Sequence, residues 1–411
     1  MDIPGLPARR AALRLLDAVL RRGETLDGAA HNAVQGLSAD ADRALARAIA
    51  AETLRWLVDL DALIDSATRQ PLPDDAKPRS VLRLMLAQWL RLGTPPHAVV
   101  ATALPLLTGG PKRLAHGVFA TLTRGGAELP ASPTLPLPVA SRWGACAKSV
   151  AAALGNPPPL DLSLKNPALT AHWVERLGAI SLAPGHLRLP RGEAVERLDG
   201  FAEGAWWVQD LAASLPARLL GNGGGRQALD LCAAPGGKTL QLAAAGWQVT
   251  ALDVSAKRLQ RLSENLARCA LAAEIVAADV MAWEPDRTYD AILLDAPCTA
   301  TGTCRRHPDV LHRIGSAQIA EMAELQQGML ARAQGWLAPG GRLVYAVCSL
   351  EREEGEGQAS RIALAPDPIA AEELPAGLVP SAQGWLRTDP GMLADAGGLD
   401  GFFIARWREP N

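Results

Sequence analysis

Ala228-Leu-Asp-Leu-Cys-Ala-Ala-Pro-Gly-Gly-Lys-Thr239 joins a short apolar run to a glycine-rich turn and then to helix-forming residues. A buried strand that leads through such a turn into a helix places backbone amides where an anion or a polar cofactor can be held. Two more apolar runs also end in a carboxylate, Val249-Thr-Ala-Leu-Asp253 and Ala291-Ile-Leu-Leu-Asp295, and a further run, Arg342 to Val347, stops just before Cys348. Helical periodicity at Ser255 to Cys269 and Ser316 to Leu337 lies between or after them. Strands alternating with helices predict an α/β fold with a parallel sheet covered on both faces. Ligands in such sheets bind beyond the carboxyl ends of the strands, where these acids cluster.

Working outward, the 411 residues are enough for two or three domains. From Ala8 to about Gly126 apolar residues recur at three- and four-residue spacing, as in Leu13, Leu16, Val19 and Leu20, which predicts an all-α bundle. Turn chemistry breaks it at Arg22-Gly23, at Pro71 to Asp75 and at Gly93-Thr-Pro-Pro96. The prolines at 130, 133, 136 and 138 predict a stiff extended connector. Gly221-Asn-Gly-Gly-Gly225 punctuates the chain again. The expected domains are therefore 1–128, 129–222 and 223–411.

The longest uncharged stretch, Leu92 to Pro111, carries four prolines and three glycines and does not suit a membrane span. Met1-Asp-Ile-Pro4 shows no basic region followed by an apolar core, so a cytoplasmic location is expected. Six cysteines without a Cys-x-x-Cys pair suit neither a disulfide scaffold nor a zinc site, and no metal is expected. The net charge is −2, with +3 on residues 1–128 and −5 on the rest, so a polyanion would need local basic patches.

The glycine turn admits two chemistries. A phosphate loop needs a glycine four residues before Gly-Lys-Thr, and that position is Cys232. The nucleotide-hydrolase reading loses its first element, although Ile292-Leu-Leu-Asp295 could still pass for a magnesium-holding strand. The competing reading is S-adenosyl-L-methionine. Gly236 and Gly237 would let the backbone approach its methionine end, Asp253 suits ribose hydroxyls, and Asp279 could accept from the adenine amine. The plainer reading of each acid is a solvated strand end or a helix cap, but three in register with one glycine turn favour the cofactor.

Asp295-Ala-Pro-Cys298 stands where methyltransferases acting on exocyclic amines carry an aromatic fourth residue. A thiol there offers nucleophilic or proton-transfer chemistry instead. Cys348, in Tyr345-Ala-Val-Cys-Ser349, should open onto the same crevice. Carbon 5 of a pyrimidine is a weak nucleophile until a thiolate adds at carbon 6, and a base must then remove the carbon 5 proton. Two thiols and the acid Asp295, steadied by Lys238, meet those demands. A buried small hydrophobe is the commoner fate of a cysteine and fits Cys146, Cys232 and Cys269. Arg305-Arg-His307, after a polar loop, suits an RNA phosphate backbone, with a solvated loop as the alternative.

At Asp230 to Thr239, Asp295 to Cys298, Arg305 to Asp309, Cys348-Ser349 and Asp400-Gly-Phe-Phe403 the chain resembles the Sun-type (Fmu) RNA 5-methylcytosine methyltransferases. With Leu198 to Gly204 and Val208-Gln-Asp210 the resemblance covers about 200 to 408. The N-terminal helices are similar to the NusB fold, a fusion characteristic of enzymes acting on small-subunit ribosomal RNA. The resemblance implies a Rossmann-like methyltransferase domain with an all-α NusB-like RNA-binding bundle, and a small RNA-binding subdomain between them. It implies Cys348 as the attacking nucleophile and Cys298 as the residue that assists product release. Cofactor contacts follow along Cys232, Ala233, Ala234, Pro235, Gly236, Gly237 and Lys238, and from Asp253, Asp279 and Asp295. The implied substrate is cytosine in 16S rRNA, unassembled or partly assembled, because the base must leave its stack. A monomer is expected. The same chemistry on tRNA, or an antitermination factor with an inactive methyltransferase part, are the alternatives.

Overall fold

The computed structural model describes residues 3–190, 192 and 194–411. The chain divides into two compact units, one of residues up to Asn156 together with Cys304–Ile314, the other of Pro157–Thr303 and Gly315–Asn411.

The first unit is helical; its helices up to residue 124 are Leu6–Arg22, Leu26–Ala33, Asp40–Arg55, Leu57–Ser66, Lys77–Leu90, Pro96–Ala103 and Gly109–Arg124. Three of their breaks, at Gly23, around Pro71 to Asp75 and at Gly93 to Pro95, fall at the positions read from the sequence. Gly23 closes the first helix at φ 68°, and the hydroxyl of Thr25 accepts from Gly28 N–H to start the second. Leu15, Leu16, Ile49, Leu54, Val81, Leu84 and Phe119 fill the core.

The domain boundaries differ from those expected at 128 and 222. The proline segment is bonded to the bundle rather than spanning a gap. The Asp59 carboxylate, 8% exposed, accepts from Thr134 N–H at 2.9 Å and from its hydroxyl at 2.6 Å. Pro136 and Pro138 then open a helix, Leu137–Trp143, where a missing N–H costs nothing. Arg55 and Arg91 donate to the carbonyls of Leu154 and Gly155, so the unit runs on to 156.

Residues 157–222 join the second unit. Strands β1 (Leu160–Leu164), β2 (His186–Leu189) and β3 (Trp206–Val208) form a small antiparallel sheet in the order β2-β1-β3. The buried Asp161 accepts two bonds of 2.7 Å from Arg188 and one of 3.0 Å from Leu211 N–H, which satisfies a charge that burial would otherwise penalise. The other strands are β4 (Gln227–Leu231), β5 (Gln248–Asp253), β6 (Glu274–Ala277), β7 (Tyr289–Asp295), β8 (Leu337–Val347), β9 (Ala365–Pro366), β10 (Leu386–Thr388) and β11 (Phe402–Arg408). They make one sheet ordered β10-β11-β8-β7-β4-β5-β6, with β9 on β11. β6, β5, β4, β7 and β8 are parallel neighbours, and β11 runs antiparallel to β8.

Alternate residues of the strands serve opposite faces. Leu229, Leu231, Ile292, Leu294 and Tyr345 pack with Met329, Leu330 and Ala333 of the helix Ser316–Gln334. Ala228, Leu293, Val344 and Ala346 pack with Ala212 and Leu215 of the helix Leu211–Arg218. Chain order reverses between β4 and β7, so a crevice opens at their carboxyl ends.

Candidate active site

The turn after β4 is shaped by its backbone. Cys232 has φ 60°, Gly236 has φ 108°, and a Cβ on Gly236 would sit 2.9 Å from Leu262 Cγ. Gly236 precedes the helix Gly237–Ala244, whose N-terminus no side chain caps, so its first-turn amides are available to a ligand. Ala233 N–H bonds Leu252 O at 3.0 Å, and Ala234 N–H bonds Asp253 Oδ2 at 3.1 Å. Asp253, 2% exposed, thus braces Cys232 to Gly236 from the next strand end and also accepts from Ser255 N–H at 2.9 Å. Asp279 follows β6, is exposed, and accepts from Met281 N–H at 2.8 Å.

Beneath the turn, Asp230 is fully buried and accepts a 2.6 Å bond from Thr239 Oγ1. Burial raises its pKa to about 7 against the pull of Thr239 and Lys238. Burial, reinforced by the charges of Asp295, Asp253 and Asp230, pushes the Cys232 thiol up to about 12. A thiol held so high fits a packing cysteine.

The chemistry lies one strand over. Lys238 Nζ donates to Asp295 Oδ2 at 2.6 Å while lying 5.5 Å from the Phe402 ring centre, so the expected steadying of Asp295 is present. Cys298 Sγ and Cys348 Sγ are 3.5 Å apart. They meet because β7 and β8 are parallel neighbours with Asp295 opposite Ala346, and both loops leave the same edge. The hydrogen bond with Cys348 holds Cys298 well above an ordinary thiol, with burial and the charges of Cys348 and Glu354 adding to it. Gly302 N–H bonds Cys348 O at 3.0 Å, and Gly401 N–H bonds Gly302 O at 2.9 Å. Asp400-Gly-Phe-Phe403 therefore braces the loop that carries Cys298.

A family model described as 16S rRNA methyltransferase RsmB/F matches residues 218–408, and one described as NusB family matches residues 6–108. Ribosomal RNA small subunit methyltransferase B of Klebsiella pneumoniae is 34% identical over 430 residues, 97% of each chain. Its namesake in Xylella fastidiosa is 35% identical over 432 residues, 98% of each. The chain belongs to the RsmB/F family. Among solved structures, PH0851 covers 99% of both chains at TM-score 0.72 and 21% identity, a likeness of fold. A methyltransferase homolog protein from Pyrococcus horikoshii covers 66% of this chain and 94% of its own at TM-score 0.56 and 26% identity.

RsmB/F enzymes are S-adenosylmethionine-dependent, and the residues here fit that cofactor. Uncapped amides at the helix start suit its carboxylate, while Asp253 and Asp279 at consecutive strand ends suit hydroxyl and amine donors. At Gly236, φ 108° and the nearness of Leu262 leave no room for a side chain. The phosphate-loop reading falls with the family assignment.

The RNA contact expected of Arg305 is corrected. Arg305 is 2% exposed, and its carbonyl accepts from Arg55 Nη2 at 2.9 Å. Its segment belongs to the helical unit, where Leu26 N–H bonds Asp309 Oδ2 and His312 Nε2 lies 2.6 Å from Leu54 O. His307 Nδ1 is 3.3 Å from Asp27, and Arg306 is partly buried. Sequence reasoning also missed Glu354. Nothing in Glu351-Arg-Glu-Glu-Gly-Glu356 distinguishes it from a solvated charge run, yet it is wholly buried.

Proposed function

We propose that the chain methylates carbon 5 of a cytosine in 16S rRNA through a transient bond between Cys348 and carbon 6 of the ring. The observation that carries this reading is the 3.5 Å thiol pair at adjoining strand ends, beside the Lys238–Asp295 pair. A methyltransferase that acts on a nitrogen needs no second sulfur, whereas carbon 5 needs an activating nucleophile and a base.

S-adenosylmethionine supplies the electrophilic methyl group. Asp295, held by Lys238, accepts from the cytosine amine and stabilises charge at ring nitrogen 3 during attack. The Cys348 thiolate forms a sulfur–carbon 6 bond, and the ring electron pair moves to carbon 5, which takes the methyl. The hydrogen bond with Cys348, together with burial, holds the Cys298 thiol above its ordinary value and so favours its protonated form. Once Cys348 is a neutral thioether, the largest cause of that high pKa is gone. Cys298 then releases its proton to solvent, takes the proton from carbon 5, and the electron pair expels Cys348. The helical unit, matched by the NusB model, would help dock the RNA.

The test is methylation of purified 16S rRNA and tRNA pools with bisulfite mapping of the products. The reading predicts new 5-methylcytosine in 16S rRNA. Methylation confined to tRNA, or to a nitrogen, contradicts it.

A further inference from the structure

Between the two thiols and the interior lies one carboxylate that the mechanism above does not use. Glu354 is 0% exposed and accepts from Thr299 N–H at 2.9 Å, from the hydroxyls of Thr299 and Ser349, and from Gln326 Nε2 at 3.2 Å. Thr299 follows Cys298 and Ser349 follows Cys348. The residue next to each sulfur is therefore bonded to the same acid. Gln326 also donates to Pro297 O at 2.9 Å, on the other side of Cys298. The main chain of Glu354 is fixed as well, since Tyr345 donates its phenol to Glu354 O at 2.6 Å from β8, three residues before Cys348.

From this geometry we infer that Glu354 is a positioning residue that sets the approach of the two sulfurs. The inference rests on the covalent reading of the thiol pair. The carboxylate accepts from two N–H groups and two hydroxyls, and although burial raises its pKa these four bonds offset the cost of a buried acid. Neutralising it does two things. An amide nitrogen in Gln cannot accept, so the Thr299 and Ser349 hydroxyls would have to turn to accept from it, loosening the bonds that hold them, and the negative charge that disfavours a Cys298 thiolate would go. The charged and titratable groups around the pair are Cys348, Glu354, Tyr345 and Arg387, whose guanidinium donates to Ser349 O at 2.6 Å.

The experiment compares wild type with Glu354→Gln and Glu354→Asp. Turnover on 16S rRNA and the pH profile of Cys298 alkylation by iodoacetamide are both read, the latter by mass spectrometry. Expected for Glu354→Gln is a kcat lower by roughly 10- to 100-fold, the scale of losing an orienting partner, with KM for RNA within about twofold. The alkylation midpoint of Cys298 should move to lower pH, and Glu354→Asp should recover part of both. Unchanged kcat, or a loss that only follows the folded fraction with an unmoved alkylation profile, overturns the inference. Alkylation needs no RNA, so this result stands apart from whether 16S rRNA is the substrate.

Discussion

The rim of the sheet carries two loops built on different principles. After β4 the main chain does the work: left-handed backbone at Cys232 and Gly236, a glycine against Leu262, and bare amides at a helix start. After β7 and β8 side chains do it, with two sulfurs 3.5 Å apart and a buried glutamate tied to both neighbours. Each loop holds cysteine at the rim, yet the thiol of Cys232 is locked by burial among acids while Cys298 and Cys348 face each other. The difference teaches that a binding loop tolerates few changes of backbone and a reacting loop few changes of side chain.

Gly236→Ala should break the backbone loop most. At φ 108°, with a Cβ 2.9 Å from Leu262, alanine is both strained and crowded. Strain of about 1–3 kcal/mol should weaken the Kd for S-adenosylhomocysteine by roughly 10-fold or more, read by calorimetry. Alkylation of Cys298 and Cys348 should proceed as in wild type, because their spacing is set by other bonds. An unchanged Kd would show that the turn does not contact the cofactor.

A smaller effect sharpens the same contrast through stability. Asp230, under the backbone loop, has a folded pKa of about 7 against about 3.9 unfolded. Between those values the folded chain keeps a proton that the unfolded chain has lost. Stability from this group is present below about pH 4 and is lost as pH rises through 7, with a slope of at most about 1.4 kcal/mol per pH unit. Asp230→Asn should flatten that fall in urea titrations between pH 4.5 and 7.5. Parallel curves for the two proteins would contradict it.

How much of this was legible in the sequence follows the same division. The strands that carry Asp230, Asp253 and Asp295 at or next to their ends were readable because a run buried on both faces is continuously apolar. The glycine turn was readable because few residue types adopt its backbone. The contact of Lys238, at the start of the helix after β4, with Asp295, at the end of β7, was expected as an acid steadied by a nearby cation. Glu354 was not readable, since burial of a charge depends on donors 5, 28 and 55 residues away. Arg305 was misread for the same reason. Its burial depends on packing with a helix some 250 residues away, whose Arg55 donates to the Arg305 carbonyl, and local composition cannot distinguish a buried guanidinium from one that waits for a phosphate. The proline segment at 130–138 read as a spacer because its tie to Asp59 spans 75 residues.

The central claim is tested most directly by incubating Cys298→Ala and Cys348→Ala enzymes with 16S rRNA and S-adenosylmethionine, then resolving protein from RNA under denaturing conditions. The account predicts that Cys298→Ala retains RNA as a stable adduct, which peptide mapping places on Cys348, while Cys348→Ala forms none and does not turn over. An adduct on neither protein, or normal turnover by Cys348→Ala, would contradict it.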